Sequence, residues 1–287
     1  MNHLIADNKV ATLRAYLIEK LSACFDEREA SNIVQRLFQA YHTWSRAEVI
    51  MNADQRLGES QLLKYHFALK RLLNGEPLQY ILGYSEFMGM RLEVNQNVLI
   101  PRPETEELVR LVVKDYADTQ ASMLDAGTGS GCIAIALKKH IPESRVTAID
   151  VSEAALEMAR SNARLNQVSV DFTCLDLLTQ VPLGKYSVIV SNPPYIPLSE
   201  SSLMHERVTQ YEPHLALFTS DDDALIFYRR LMELTPQILE PGGSVYCEIH
   251  ESKSDELLSI ASQYSIESPE IHRDMQGKNR MITWKKA

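Results

Sequence analysis

The chain has 287 residues, 45% hydrophobic and 23% charged, which allows one large domain or two modest ones of ordinary globular make-up. A formal net charge of −9 argues against direct binding of nucleic acid through a basic face, and favours a small molecule or a basic protein partner. No apolar run approaches the roughly 20 residues that span a bilayer; the start Met1-Asn2-His3-Leu4-Ile5-Ala6-Asp7 lacks the pattern of a secretory signal; and four scattered cysteines, with eight histidines at no metal-ligand spacing, fit free thiols in a reducing cytoplasm and no metal site.

Residues 1–75 read as helices only. Val10, Leu13, Leu17 and Leu21 share one helical face, and Ala30, Ile33, Val34, Leu37, Phe38 and Tyr41 share a second. Leu62, Leu63, Phe67, Leu69, Leu72 and Leu73 form a third stripe, stopped by Asn74-Gly75 with Pro77 beyond. A small helical bundle is expected. Residues 76–102 change character: 87–94 and 98–100 flank Asn95-Gln96-Asn97, which suggests a linker with a β-hairpin. Pro103 suits a first helical turn, where Glu104, Glu106 and Glu107 favour the helix dipole.

From residue 103 to 287 a second domain is expected. Strands at 122–125, 145–150, 168–173, 186–191, 244–249 and 279–284 alternate with helices at 132–139 and 152–166, the latter capped by Ser152. Such alternation implies an α/β domain with a doubly wound, mainly parallel sheet and a ligand at the carboxyl ends of its strands.

Three features fall at those ends. Gly127-Thr128-Gly129-Ser130-Gly131 lies between a strand and a helix, where bare backbone and unpaired N–H groups can approach a ligand. The dinucleotide fingerprint wants its third glycine one place later, where Cys132 stands. Asp150 ends the next strand and can accept from a ribose diol. Asp176 follows the third and can accept from an adenine amino group, with Leu177 against the ring. Together they describe a pocket for an adenosyl ligand with a short charged tail; S-adenosylmethionine fits better than NAD, because no second mononucleotide half is evident.

The fourth feature is Asn192-Pro193-Pro194-Tyr195, after the apolar run 186–191. Two prolines cannot continue a central strand, so a rigid turn must present an amide, carbonyls and a phenol. These groups can grip an NH2 attached to a flat π-system, a carboxamide or an aminopurine. Asn192 Oδ1 and the Pro193 carbonyl could each accept one N–H, while Tyr195 covers the flat face. Methyl transfer to so poor a nucleophile would rest on alignment rather than on a general base.

These residues resemble class I S-adenosylmethionine methyltransferases that methylate nitrogen. Glu76-Pro77-Leu78-Gln79-Tyr80-Ile81-Leu82-Gly83, Leu99-Ile100-Pro101-Arg102-Pro103-Glu104-Thr105-Glu106, Leu124-Asp125-Ala126 with the glycine loop, Tyr211-Glu212-Pro213 and Pro241-Gly242-Gly243 are similar to hallmarks of the peptide-chain release factor glutamine methyltransferases, the PrmC/HemK family. The resemblance runs from about residue 10 to the C-terminus. It implies a Rossmann-like class I domain behind a helical, release-factor-binding N-terminal domain. It also implies methylation of N5 of the glutamine in the Gly-Gly-Gln motif of release factors, with S-adenosylhomocysteine as product. The family's cofactor positions map onto Gly127, Thr128, Gly129, Ser130, Gly131, Asp150, Asp176, Leu177 and Asn192, and its glutamine-recognition positions onto Asn192, Pro193, Pro194 and Tyr195. The chain departs from the pattern at Leu177, where many relatives have an aromatic residue, at Asp223-Ala224 for Asp-Gly, and at His250 for glycine.

The tetrad alone is shared with adenine-N6 methyltransferases of nucleic acids, but those should carry a basic or target-recognition domain. A sister enzyme for a ribosomal-protein glutamine is disfavoured by the resemblance of the Pro101-Arg102-Pro103-Glu104-Thr105 loop to the release-factor branch. A non-enzymatic adenosyl-ligand sensor is disfavoured by the intact tetrad. A cytoplasmic enzyme with a protein substrate and no membrane partner is the expectation.

Overall fold

Apolar stripes at helical and strand spacing must be buried against one another, and they sort this chain into two units, Met1–Gly83 and Tyr84–Ala287. The computed structural model describes residues 7–204, 206–264, 266 and 268–286. Residues 1–6, on which the reading of the chain's start rests, lie outside them.

The first unit holds α1 (Val10–Leu21), α2 (Glu27–His42), α3 (Arg46–Met51), α4 (Glu59–Leu73) and α5 (Leu78–Leu82). Asp26 caps α2 by accepting from Glu29 N at 2.8 Å, and Ser45 with Glu48 forms a capping box on α3. The first two stripes are buried as expected, except that Tyr41 is only half-buried. The third is rotated: Tyr65, Ala68, Leu69 and Leu72 are buried, while Leu63, Phe67 and Leu73 are exposed. The apolar residues of α4 cover more than one face, and the Tyr65 ring decides between them by packing on Phe38, 5.0 Å between centroids.

Two expectations for residues 76–102 are corrected. Residues 78–82 form α5, which ends at Gly83 in the left-handed region (φ 77°). The hairpin pairs β1 (Tyr84–Phe87) with β2 (Met90–Glu93) and turns at Met88-Gly89, both with positive φ (47° and 72°). A turn does exist at Asn95-Gln96-Asn97, where Asn95 Oδ1 accepts from Asn97 N at 2.9 Å, but no strand follows. The Ile100 N–H goes instead to a side chain, Glu212 Oε2, at 3.1 Å.

The rest of the second unit comprises α6 (Pro103–Tyr116), β3 (Ser122–Ala126), α7 (Cys132–His140), β4 (Arg145–Asp150), α8 (Glu153–Leu165), β5 (Asp171–Cys174), β6 (Tyr186–Ser191), β7 (Ile196–Pro197), α9 (Glu206–Tyr211), α10 (His214–Leu217), β8 (Phe218–Thr219), α11 (Ile226–Ile238), β9 (Leu239–Glu248), α12 (Ser254–Gln263), β10 (Glu270–Arg273) and β11 (Asn279–Lys285). β5 starts later than expected because α8 closes in a left-handed turn. Gln167 has φ 59°, and the Gln167 and Val168 N–H groups return to the carbonyls of Arg164 and Ala163.

The sheet order is β10-β11-β9-β6-β3-β4-β5. β9, β6, β3, β4 and β5 run parallel, and the β10–β11 hairpin adds an antiparallel edge. Strand side chains alternate between two cores. Met123, Val188 and Val190 pack with α6 and α7, whereas Leu124, Ile189 and Val245 pack with α11 and α12. The order reverses at β3: the chain leaves it towards β4 and later returns to its other side as β6. In a doubly wound sheet that switch point leaves a crevice at the carboxyl ends of the strands.

Candidate active site

A cavity of ≈ 450 Å³ opens at that switch point. Ala126 of β3, Asp150 of β4 and Ser191 of β6 bring three strand ends to its wall, and Thr105 of α6 and Arg102 bring a fourth side.

The glycine loop is held from beneath by Asp125. Its Oδ2 accepts from Thr128 Oγ1 at 2.6 Å and from Ala134 N at 3.0 Å. Burial pushes the Asp125 carboxyl up to about 7 despite these bonds. Gly127, Thr128, Gly129 and Ser130 line the cavity, and Gly129 N donates to Asp150 Oδ2 at 2.8 Å. Gly131 does not line it. A Cβ there would lie 2.9 Å from Ile135 Cδ1 and 3.0 Å from Ala159 Cβ, so Gly131 allows α7 and α8 to approach.

Asp150, Asp176 and Leu177 all line the cavity. Asp150 Oδ1 also accepts from Ser152 N at 2.9 Å, and burial raises its pKa. The Asp176 carboxylate caps its own turn, accepting from Leu178 N at 3.0 Å and Thr179 Oγ1 at 2.8 Å. Leu177 is buried and offers an aliphatic surface. Cys132 lines the same cavity, and burial pushes its thiol up to about 12, out of the reactive range.

Asn192, Pro193 and Pro194 line the opposite wall. Asn192 Nδ2 donates to Thr105 Oγ1 at 3.0 Å, and Thr105 Oγ1 donates to Glu248 Oε2 at 2.7 Å. Tyr195 is not among the lining residues; its hydroxyl points back to Glu248 Oε1 at 3.4 Å. Burial, then the Glu248 charge, raises the Tyr195 pKa. Burial also pushes the Glu248 carboxyl up to about 7, against the opposing bond from Thr105.

Sequence reasoning about the site overlooked four residues. Thr105 and Glu248 hold Asn192. Arg102 Nη2 pairs with Glu212 Oε1 at 2.6 Å, with the Glu212 side chain 1% exposed, and ties the 96–102 segment to Pro213, which lines the cavity. Thr105 and Glu212 do sit in stretches singled out by family resemblance, yet nothing in spacing pairs residues 110 or 143 positions apart.

Among the described residues no cluster of His, Cys, Asp or Glu could hold a metal ion. An adenosyl group fits better. At Gly127 and Gly129 an added Cβ would meet open space, and Ser130 Oγ is buried without a hydrogen-bond partner among the described residues. Leu177, Leu178 and Ile149 give one part of the wall an apolar surface.

Known proteins resemble this chain over nearly its whole length. The family described as Methyltransferase small domain matches residues 104–216, and PrmC N-terminal domain matches residues 13–83. The release factor glutamine methyltransferase of Flavobacterium psychrophilum is 39% identical over 278 residues, 95% of this chain and 98% of the relative. That of Bacteroides thetaiotaomicron is 40% identical over 238 residues, 82% of this chain and 85% of the relative. That of Staphylococcus aureus is 35% identical over 264 residues, covering 91% and 93%. A crystal structure of a methyltransferase from Pyrococcus furiosus matches with TM-score 0.53 and 19% identity over 80% of this chain and 100% of that one. The fold is that of a class I methyltransferase.

Proposed function

This chain belongs to the family of release factor glutamine methyltransferases, and from that premise we propose that it methylates N5 of the glutamine in the Gly-Gly-Gln motif of peptide chain release factors, using S-adenosylmethionine. The observation that carries the proposal is Asn192 on the cavity wall with its NH2 given to Thr105, which turns Oδ1 away from Thr105 as an acceptor. When bound, S-adenosylmethionine supplies an electrophilic methyl carbon. Gly127, Thr128, Gly129 and Ser130 would receive its methionine end, Asp150 would accept from the ribose diol, and Asp176 and Leu177 would border the adenine side.

Asn192 Oδ1 and the Pro193 carbonyl accept the two N–H groups of the substrate carboxamide. That grip directs the nitrogen lone pair at the methyl carbon. Alignment of this kind is worth roughly 7–11 kcal/mol in favourable systems. S-adenosylmethionine would supply the methyl group and leave as S-adenosylhomocysteine, with one proton released from the methylated nitrogen. The N-terminal helical unit grips the release factor, and a substrate from the translation machinery places the reaction in the cytoplasm. Among the described residues, no helix is long and apolar enough to cross a membrane.

The test is methyl labelling of a release factor, the same factor with its Gly-Gly-Gln glutamine replaced, ribosomal proteins and DNA. Label in the intact factor alone is expected. Label that persists on the replaced factor, or goes to ribosomal protein or DNA only, overturns the assignment.

A further inference from the structure

An asparagine amide presents an acceptor at one end and donors at the other, and a half-turn about its last bond exchanges them. If Asn192 is to hold a substrate NH2, its oxygen must face the acceptor, since the reverse orientation sets donors against donors. Something has to choose. Thr105 alone does not, because a hydroxyl bonds equally well to either end of the amide.

We infer that Thr105 and Glu248 act as a positioning pair that selects the orientation of the Asn192 amide. Glu248 is 2% exposed and lies at the end of β9; Thr105 sits in the first turn of α6; Asn192 follows β6. The ionised carboxylate can only accept, so the single Thr105 proton goes to Glu248 Oε2 at 2.7 Å. The Thr105 oxygen is left with only lone pairs for Asn192, and the amide must answer with Nδ2, at 3.0 Å. Tyr195 donates to the second carboxylate oxygen at 3.4 Å. The last residue of the tetrad is thus tied to the first through Glu248. This inference rests on the proposed glutamine chemistry for the identity of the acceptor, but not for the hydrogen-bond relay itself.

Thr105→Val keeps the shape and removes both bonds. Its kcat should fall roughly 10- to 100-fold, the range expected when one buried hydrogen-bonding group loses its partner. KM for the release factor and Kd for the methyl donor should stay within about threefold. Thr105→Ser, which keeps the hydroxyl, should recover most of the kcat. Glu248→Gln should lose part of it, because a carboxamide can donate to Thr105 and so permit the reversed amide. A Thr105→Val enzyme with wild-type kcat, or a Thr105→Ser enzyme as poor as Thr105→Val, overturns the inference. So does a kcat loss matched by an equal loss of donor affinity, which marks a merely structural role.

A second readout is independent of the acceptor. In protein labelled at asparagine side-chain nitrogen, the Asn192 NH2 protons should exchange slowly with solvent in the wild type and fast in Thr105→Val. Unchanged exchange refutes the relay whatever substrate is methylated. If the wild type methylates some other acceptor, the functional reading falls, and the relay is still judged by the ratio of Thr105→Val to Thr105→Ser on that acceptor.

Discussion

The two walls of the cavity are built on opposite principles. On the glycine-loop side most polar groups are held by near neighbours in sequence. Asp176 caps residues 178 and 179, Asp150 accepts from Ser152, and Thr128 donates to Asp125. On the Asn192 side the bonds that fix Thr105, Asn192 and Arg102 are long-range. Thr105 lies 87 positions from Asn192 and 143 from Glu248, and Arg102 lies 110 from Glu212. Local holds form with the loop itself, so they survive small changes elsewhere. Long-range holds exist only when the sheet and α6 are both in place, which makes the acceptor wall the part more sensitive to packing.

The contrast can be broken at four points. The largest effect is expected for Asn192→Ala, which removes the acceptor from one wall and leaves the other intact. Its kcat should fall by at least about 100-fold while donor affinity changes little. Single-turnover methyl transfer at the wild-type rate would take Asn192 out of the reaction.

Gly131→Ala strikes beneath the other wall. A methyl at φ 82°, 2.9 Å from Ile135 Cδ1, should destabilise the fold by about 1–3 kcal/mol in denaturant titrations. The wild-type midpoint would show that α7 and α8 yield.

The pH dependence sharpens the contrast further. The Glu248 carboxyl is raised from 4.5 to about 7, first by burial and also by Glu104 of α6, with Thr105, Arg280 of β11 and Tyr195 opposing. Its neutral form is thus favoured in the folded state. The stability this contributes is full below the ordinary value and is lost as pH rises through about 7. The orienting carboxylate, by contrast, gains population over the same window. Wild-type unfolding free energy should therefore drop, and kcat rise, between about pH 5 and 8. Both slopes should be shallower in Glu248→Gln, with Asp125 contributing a similar stability slope in both proteins. Parallel slopes would mean that Glu248 is not the titrating group.

The smallest effect is expected for Asp176→Asn. Its carboxylate already serves its own turn, so donor affinity in calorimetry should change by less than about threefold. A tenfold loss would show that Asp176 bonds the adenosyl group directly.

Much of the parallel sheet was legible, because buried strands read as short apolar runs between turn signals: 145–150 and 186–191 are strands at those bounds. The hairpin was misplaced because Asn95-Gln96-Asn97 does carry turn chemistry, while Met88 gives no sign of a positive φ. On α4, neighbouring apolar residues offered two faces, and only the Tyr65–Phe38 contact chose one. Residue type at strand ends singled out the glycine loop, Asp150, Leu177 and the Asn192 turn, and the fold brings them to one cavity. Gly131 and Tyr195 belonged to the same motifs, but packing against Ala159 and the pull of Glu248 turn them away from the cavity.

By itself the sequence determined the succession of the parallel strands with α7 and α8 between them, the stiffness of the diproline corner and the open backbone of the glycine loop. These follow from properties of single residues and their near neighbours: apolar period, a missing Cβ, a missing N–H. Only the tertiary structure decided which way Asn192 faces and which acids are buried. Those depend on Thr105, Glu248, Arg102 and Glu212 meeting across the sheet, and no local pattern encodes a hydrogen bond between residues that folding alone brings together.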